Sequence, residues 1–168
     1  GGHAIQWSPD GTYLGAAHGG IVLYSPEGKR LHYFDCHRGS SEGLVWLNET
    51  QMVSCGTDQD AVILDATTKM EVERLVHHAA ALKDIACNSA GTRIITASGD
   101  GQIKTVNLES RSNAFDVLKH NDEQVQNVLF SPDDQLIAAG TDTFGCVWNA
   151  KTGEFVDQFE GSKHVWFA

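Results

Sequence analysis

The chain has little proline, no close cysteine pair and no long apolar run. With three prolines and 41% hydrophobic residues in 168, it lacks the composition of a disordered segment. Its four cysteines, Cys36, Cys55, Cys87 and Cys146, are too far apart in sequence for a C-x-x-C zinc or redox pair. Three of them stand inside apolar runs, where a free thiol acts as a small buried hydrophobe, and unpaired thiols point to a reducing compartment. There is no signal peptide and no stretch of about eighteen apolar residues, so no membrane contact is expected and the expected location is intracellular, in the cytoplasm. Asn48-Glu49-Thr50 matches a glycosylation sequon, but sequons this short arise often by chance.

Positive charge is also scarce. Twelve Lys and Arg stand against 22 Asp and Glu, a net charge of −10. The cations are scattered rather than clustered into a phosphate-binding stripe, which argues against nucleic acid as a partner. Many acids have a local reason, since Asp suits tight turns, and the rest favour solubility. No segment keeps i, i+3, i+4, i+7 spacing, so helical repeats are excluded. A hydrolase would need one nucleophile aligned with one base; no G-x-S-x-G elbow is present, and Asp and His recur once per repeat instead. His77-His78 has no further ligand at metal spacing, and Asp58-Gln59-Asp60 lacks the later glycine and glutamate of a calcium loop. Neither a metal nor a cofactor is expected.

What the chain does have is glycine, 17 residues gathered mostly at turns, and short apolar strands between them. One order recurs: strand, turn, strand, Asp-bearing turn, third strand, turn, fourth strand. Trp7, Trp46, Cys87, Phe130 and Phe167 anchor the first strands at spacings of 39, 41, 43 and 37 residues. Tyr24, Leu64, Val106 and Trp148 anchor the third strands at 40, 42 and 42. Two independent anchors holding one period predict an all-β array of four four-stranded antiparallel sheets. An irregular β-sandwich explains short strands but not turn types recurring in one order.

These residues resemble the WD-repeat β-propeller family. The fourth unit carries Phe130-Ser131-Pro132-Asp133-Asp134 for the family's F-S-P-D-G turn, then Asp142, then Trp148-Asn149 for its W-D dipeptide. The first has Trp7-Ser8-Pro9-Asp10-Gly11 and Tyr24-Ser25, the second Leu64-Asp65, the third Val106-Asn107. The resemblance implies a β-propeller with blades at about 3–35, 43–76, 82–118 and 124–159, and with 163–168 as the first strand of a fifth. A ring in this family usually has seven blades, so the remaining blades are expected from the same or another chain.

The resemblance also implies a hydrogen-bond network within each blade. Its acids would be Asp58, Asp100 and Asp142, its histidines His37, His78 and His120, and its indole Trp148. Thr96, Ser98 or Ser54 would supply hydroxyls. Leu64 and Val106 have no indole N–H, and the fourth unit has Ala138 and Ala139 where a hydroxyl would sit. The implied function is a non-enzymatic scaffold that binds other proteins on the loop rim, with Phe144, His18, Arg38, Gln59 and Asp60 as candidate contacts. The alternative is a sensor or regulatory propeller of a larger protein whose enzymatic domain lies elsewhere.

Overall fold

The computed structural model describes residues 4–110, 112–113 and 123–160. Every regular element among them is a β-strand, and the strands form four antiparallel sheets of four, each in chain order. The first sheet holds β1 (Ile5–Trp7), β2 (Leu14–His18), β3 (Gly20–Tyr24) and β4 (Arg30–Phe34). The second holds β5 (Ser41–Trp46), β6 (Gln51–Gly56), β7 (Asp60–Asp65) and β8 (Met70–His77). The third holds β9 (Leu82–Cys87), β10 (Arg93–Ser98), β11 (Ile103–Asn107) and β12 (Ser112–Asn113). The fourth holds β13 (Asn127–Phe130), β14 (Leu136–Gly140), β15 (Phe144–Asn149) and β16 (Phe155–Glu160).

Each sheet is an up-and-down meander, the form of a propeller blade. Two compact units, Gly1–Leu82 and Lys83–Ala168, carry two blades each. The first strand of the fourth blade, β13, begins at Asn127, inside the range of about 124–159 expected for that blade. The strands expected at 114–118 and 163–168 lie outside the described residues.

Short strands leave many backbone N–H groups in turns, and each one withdrawn from water needs an acceptor. In the β1–β2 turn, Ser8 Oγ accepts the Tyr13 N–H at 2.9 Å and donates to Asp10 at 2.7 Å. The β13–β14 turn repeats this, with Ser131 Oγ accepting from Leu136 at 2.9 Å and donating to Asp133 at 2.6 Å. Asn88 Oδ1 does the same work for the N–H groups of Thr92 (2.9 Å) and Arg93 (2.8 Å). Asn48 Oδ1 serves those of Thr50 (3.0 Å) and Gln51 (2.8 Å). The Ser-Pro motifs and the sequon asparagine are therefore turn chemistry.

A second acceptor ends each of the last three third strands. Asp65 Oδ1 accepts from Thr67 (2.9 Å) and Thr68 (2.8 Å). Asn107 Oδ1 accepts from Glu109 (2.9 Å) and Ser110 (3.0 Å), and Asn149 Oδ1 from Lys151 (2.9 Å) and Thr152 (3.0 Å). Only a carbonyl-type oxygen is used here. An amide oxygen accepts here as a carboxylate oxygen does, and two of these three blades have Asn.

In the first unit, Ala17, Ile21, Leu23 and Phe34 of the first blade bury against Leu44, Trp46, Met52, Val62 and Leu64 of the second. Contact is close enough that a Cβ on Gly15 would stand 2.5 Å from Leu44 Cδ2. The Trp46 indole N–H donates to the Gln6 carbonyl at 3.0 Å, and the Trp46 backbone N–H to Gln6 Oε1 at 3.1 Å. The second unit buries Ile95, Ala97 and Ile103 with Val128, Ile137, Ala139, Cys146 and Trp148. There the Val128 N–H donates to Asp84 Oδ2 at 3.0 Å, and burial pushes that carboxyl above its ordinary range. In both units, then, a polar side chain on one first strand reaches the backbone of the next.

On the opposite face of the first blade, Ile5 and Trp7 are exposed among the described residues. Cross-strand register places Ile5, Ala16 and Val22 in one row and Trp7, Leu14 and Tyr24 in the next. Ile5 is 67% exposed and Trp7 49%.

The outer strand is bulged against the third strand in the first, second and fourth blades. At the corresponding step the extra residue is aliphatic each time: Leu31, Val72 and Val156. A bulge resets the alternation of faces. In the fourth blade it sets Phe155 edge-on against Trp148, at 6.2 Å and 78°, while Phe159 lies over Gly145.

If Asn149 serves only as an acceptor, Asn149→Asp should change stability by less than about 0.5 kcal/mol, whereas Asn149→Ala should cost about 1 kcal/mol. Urea unfolding of the two variants at neutral pH checks this.

Candidate functional site: the loop rim and its internal staples

The loops between fourth and first strands and the turns between second and third strands lie at one end of each blade. The second blade shows how they are held. Strand β6 presents Ser54, the β4–β5 loop brings in His37, and the β6–β7 turn supplies Asp58. His37 Nδ1 lies 2.7 Å from Asp58 Oδ1, and Nε2 lies 2.7 Å from Ser54 Oγ. An ionised carboxylate only accepts, so Nδ1 donates to Asp58 while Nε2 pairs with the Ser54 hydroxyl. The backbone N–H of Arg38 donates to Asp58 Oδ2 at 3.0 Å. One residue further out, Ser40 N–H donates to Thr57 Oγ1 and Thr57 N–H to the Ser40 carbonyl, at 3.0 and 2.9 Å.

Two features hold this staple in place. A Cβ on Gly56 would lie 2.7 Å from the His37 ring and 2.9 Å from Asp58 Oδ1, so only glycine leaves room for the pair. Arg74 on β8 donates to the Cys36 carbonyl at 2.6 Å and to Asp60 at 3.2 Å, with the same guanidinium 3.7 Å from Asp58. Burial opposes the charge on Asp58, but the Arg38 N–H and His37 outweigh it and hold the carboxyl below its ordinary range. Burial pushes the neighbouring Cys36 thiol up to about 11, so it stays protonated and unreactive at neutral pH.

Ser54, His37 and Asp58 stand in the order of a hydrolytic triad. Ser54 is wholly buried, however, and His37 has both ring nitrogens committed. The arrangement offers no open space where a reacting atom would meet the hydroxyl.

His78, in the first unit, is buried, and its backbone N–H donates to the Gln59 carbonyl at 3.0 Å. Asp100, in the second unit, caps its own turn by accepting the Gln102 N–H at 3.0 Å. Ser98 and Thr96 are buried beside it on β10. Trp148 is buried in the second core and packs against Phe155. His120 lies outside the described residues.

Asp142 is exposed, and its expected partner His120 lies outside the described residues. Glu123 holds that turn. Its carboxylate accepts from Thr141 Oγ1 at 2.8 Å and from Thr143 Oγ1 at 2.9 Å. The two hydroxyls flanking Asp142 thus donate to a loop carboxylate. A Thr on each side of the aspartate was the available sequence signal.

Of the candidate partner contacts, Arg38 and His18 are exposed on the rim. Gln59 is half-buried in a left-handed conformation at φ 75°. Asp60 is engaged by Arg74 at 3.2 Å and by His77 at 3.0 Å. Phe144 is half-buried against the second core, since it shares a sheet face with Cys146 and Trp148.

Comparison with known proteins adds a sequence-level match. Residues 70–105 and 114–149 match the family described as WD domain, G-beta repeat. The first segment starts on outer strand β8 and runs through β9 and β10 into β11, so the sequence repeat is staggered by one strand from the sheet. Over 96% of its length the chain is 25% identical to Actin-interacting protein 1 of Drosophila melanogaster. It spans 28% of that relative.

Two outcomes test the staple. Gly56→Ala should cost about 1–3 kcal/mol by crowding His37 and Asp58, read as a lowered midpoint of thermal unfolding. Because Asp58 is held below its ordinary value, its contribution is present above a pH of about 3.9 and lost as pH falls through the lowered folded value. The stability gap between wild type and Asp58→Asn should therefore be widest near neutrality and close on acidification. A gap independent of pH would contradict the assignment.

Proposed function

Since the chain carries WD repeats, we propose that it is a non-enzymatic protein-interaction scaffold whose loop rim receives partner peptides or domains. The observation that carries this reading is the His37–Asp58–Ser54 staple. It uses the residues that resemble a catalytic set to tie a rim loop to a rim turn, and leaves Arg38 outward on the loop so held. A loop fixed by its own backbone presents side chains at low entropic cost, which favours binding. Arg is also enriched among residues that dominate interfaces.

The Drosophila relative is named for interacting with actin, and an actin surface is the partner class we infer for this chain. The exposed apolar face of the first blade calls for a different occupant. Ile5 and Trp7 beside Leu14 and Val22 form an apolar face like the one that the first blade buries against the second, so a further blade, from the same chain or another, covers them in the working protein.

Co-sedimentation with actin filaments at physiological salt tests the rim. Arg38→Ala should reduce the bound fraction by about tenfold or more, as loss of a central Arg contact does. Equal co-sedimentation of wild type and Arg38→Ala would remove the rim from the reading. No co-sedimentation of either protein would remove actin.

A further inference from the structure

All three prolines of the chain follow a serine, at Ser8-Pro9, Ser25-Pro26 and Ser131-Pro132. Each pair opens a turn closed in the same way by main chain. The serine carbonyl accepts the N–H three residues on, from Gly11, Gly28 and Asp134, at 2.9 Å in every case. The three hydroxyls are used differently.

Ser8 Oγ accepts the Tyr13 N–H and Ser131 Oγ the Leu136 N–H, so both oxygens help to start the next strand. Each hydroxyl also donates to an aspartate that is tied down in its turn. Asp10 accepts the Thr12 N–H at 3.0 Å, and Asp133 the Gln135 N–H at 3.1 Å. Ser8 is buried besides. Ser25, in the β3–β4 turn, has no such duty: among the described residues no backbone N–H donates to its hydroxyl. That hydroxyl donates to Glu27 Oε2 at 2.6 Å. Glu27 is exposed and one methylene longer than Asp, so its carboxylate can swing away without opening the turn.

We propose that Ser25 is a phosphorylation site for a proline-directed kinase, and that the fold withholds Ser8 and Ser131 from the same enzyme. In the reaction Ser25 Oγ attacks the γ-phosphorus of ATP. The Oγ–P bond forms as the bond from phosphorus to the ADP oxygen breaks, and the hydroxyl proton passes to the base of the kinase. Only the bond to Glu27 is lost. At Ser8 or Ser131 the same step would crowd the oxygen on which a strand N–H depends and set the phosphate against a fixed aspartate. Residues 26–30 are exposed, so the proline and the cations after it are open to an enzyme. The product carries a charge of about −1.5 to −2 at neutral pH. Lys29 stands across the hairpin to meet it, since the Ser25 N–H donates to the Lys29 carbonyl at 2.8 Å, and Arg30 follows. Tyr24 ends the row of Trp7 and Leu14, so the phosphate stands at the border of the exposed apolar face. This modification is independent of the rim and of actin.

The test sets the folded chain beside three peptides of the same turns, residues 3–14, 20–31 and 126–137. Each is incubated with ATP and, in separate reactions, a purified cyclin-dependent kinase and a mitogen-activated protein kinase. Phosphopeptide mass spectrometry follows the rate at each serine. Relative to its own peptide, Ser25 in the folded chain should react about tenfold or more faster than Ser8 or Ser131, whose extra turn bonds must open first. Ser25→Ala, which spares the bonds that close the turn, should abolish labelling of the folded chain. Equal relative rates at the three serines, or labelling of Ser8 or Ser131 ahead of Ser25, would overturn the proposal. So would failure of both kinases to label Ser25 in the folded chain.

Discussion

Everything in this fold depends on giving the N–H groups of tight turns an acceptor. A chain of short strands spends much of its backbone in turns, and each turn leaves N–H groups with no ladder partner. Ser8, Asn48, Asn88 and Ser131 answer at the first turn of each blade, and Asp65, Asn107 and Asn149 at the third turn of the later ones. Once these oxygens are in place, strand register follows from the closure of the turn, and with register comes the choice of buried face. The apolar cores are large, but they are assembled on a frame that polar side chains have already measured.

This explains which features could be read from the sequence. Period, strand order and turn positions were legible because turn chemistry is local: Ser-Pro-Asp-Gly says the same thing wherever it stands. The His37–Asp58–Ser54 grouping was partly legible, since its members keep their distance from an anchor; the choice of Ser54 among the available hydroxyls needed three dimensions. Asp142 kept the right distance and still turned outward. The difference is Glu123, a residue whose partners are 18 and 20 positions away and whose role depends on how a loop folds back. Gln6 and Asp84, which tie successive first strands, were silent in the sequence for the same reason.

Phe144 illustrates a second limit. It breaks the repeat pattern, and an aromatic where a small polar residue is usual invites a functional reading. Parity on β15 adds a structural duty, because residues 144, 146 and 148 share one face and part of the Phe144 ring packs against the core there. The bulges were equally hidden. Their aliphatic extra residues look like ordinary strand members until cross-strand pairing shows that Leu31, Val72 and Val156 have no opposite number.

The stagger between sequence repeat and sheet has a consequence for how such chains grow. The segment 70–105 takes its first strand from one blade and the rest from the next. A gene duplication that copies this segment therefore never copies a finished sheet. It inserts one outer strand to complete the blade before it, and three inner strands that wait for the segment after. Each new unit arrives already interlocked with both neighbours, as a shingle overlaps the course below it. Lengthening the array in this way costs no exposed seam within any sheet, whereas a cut at a sheet boundary would leave the copied material free to pair with itself.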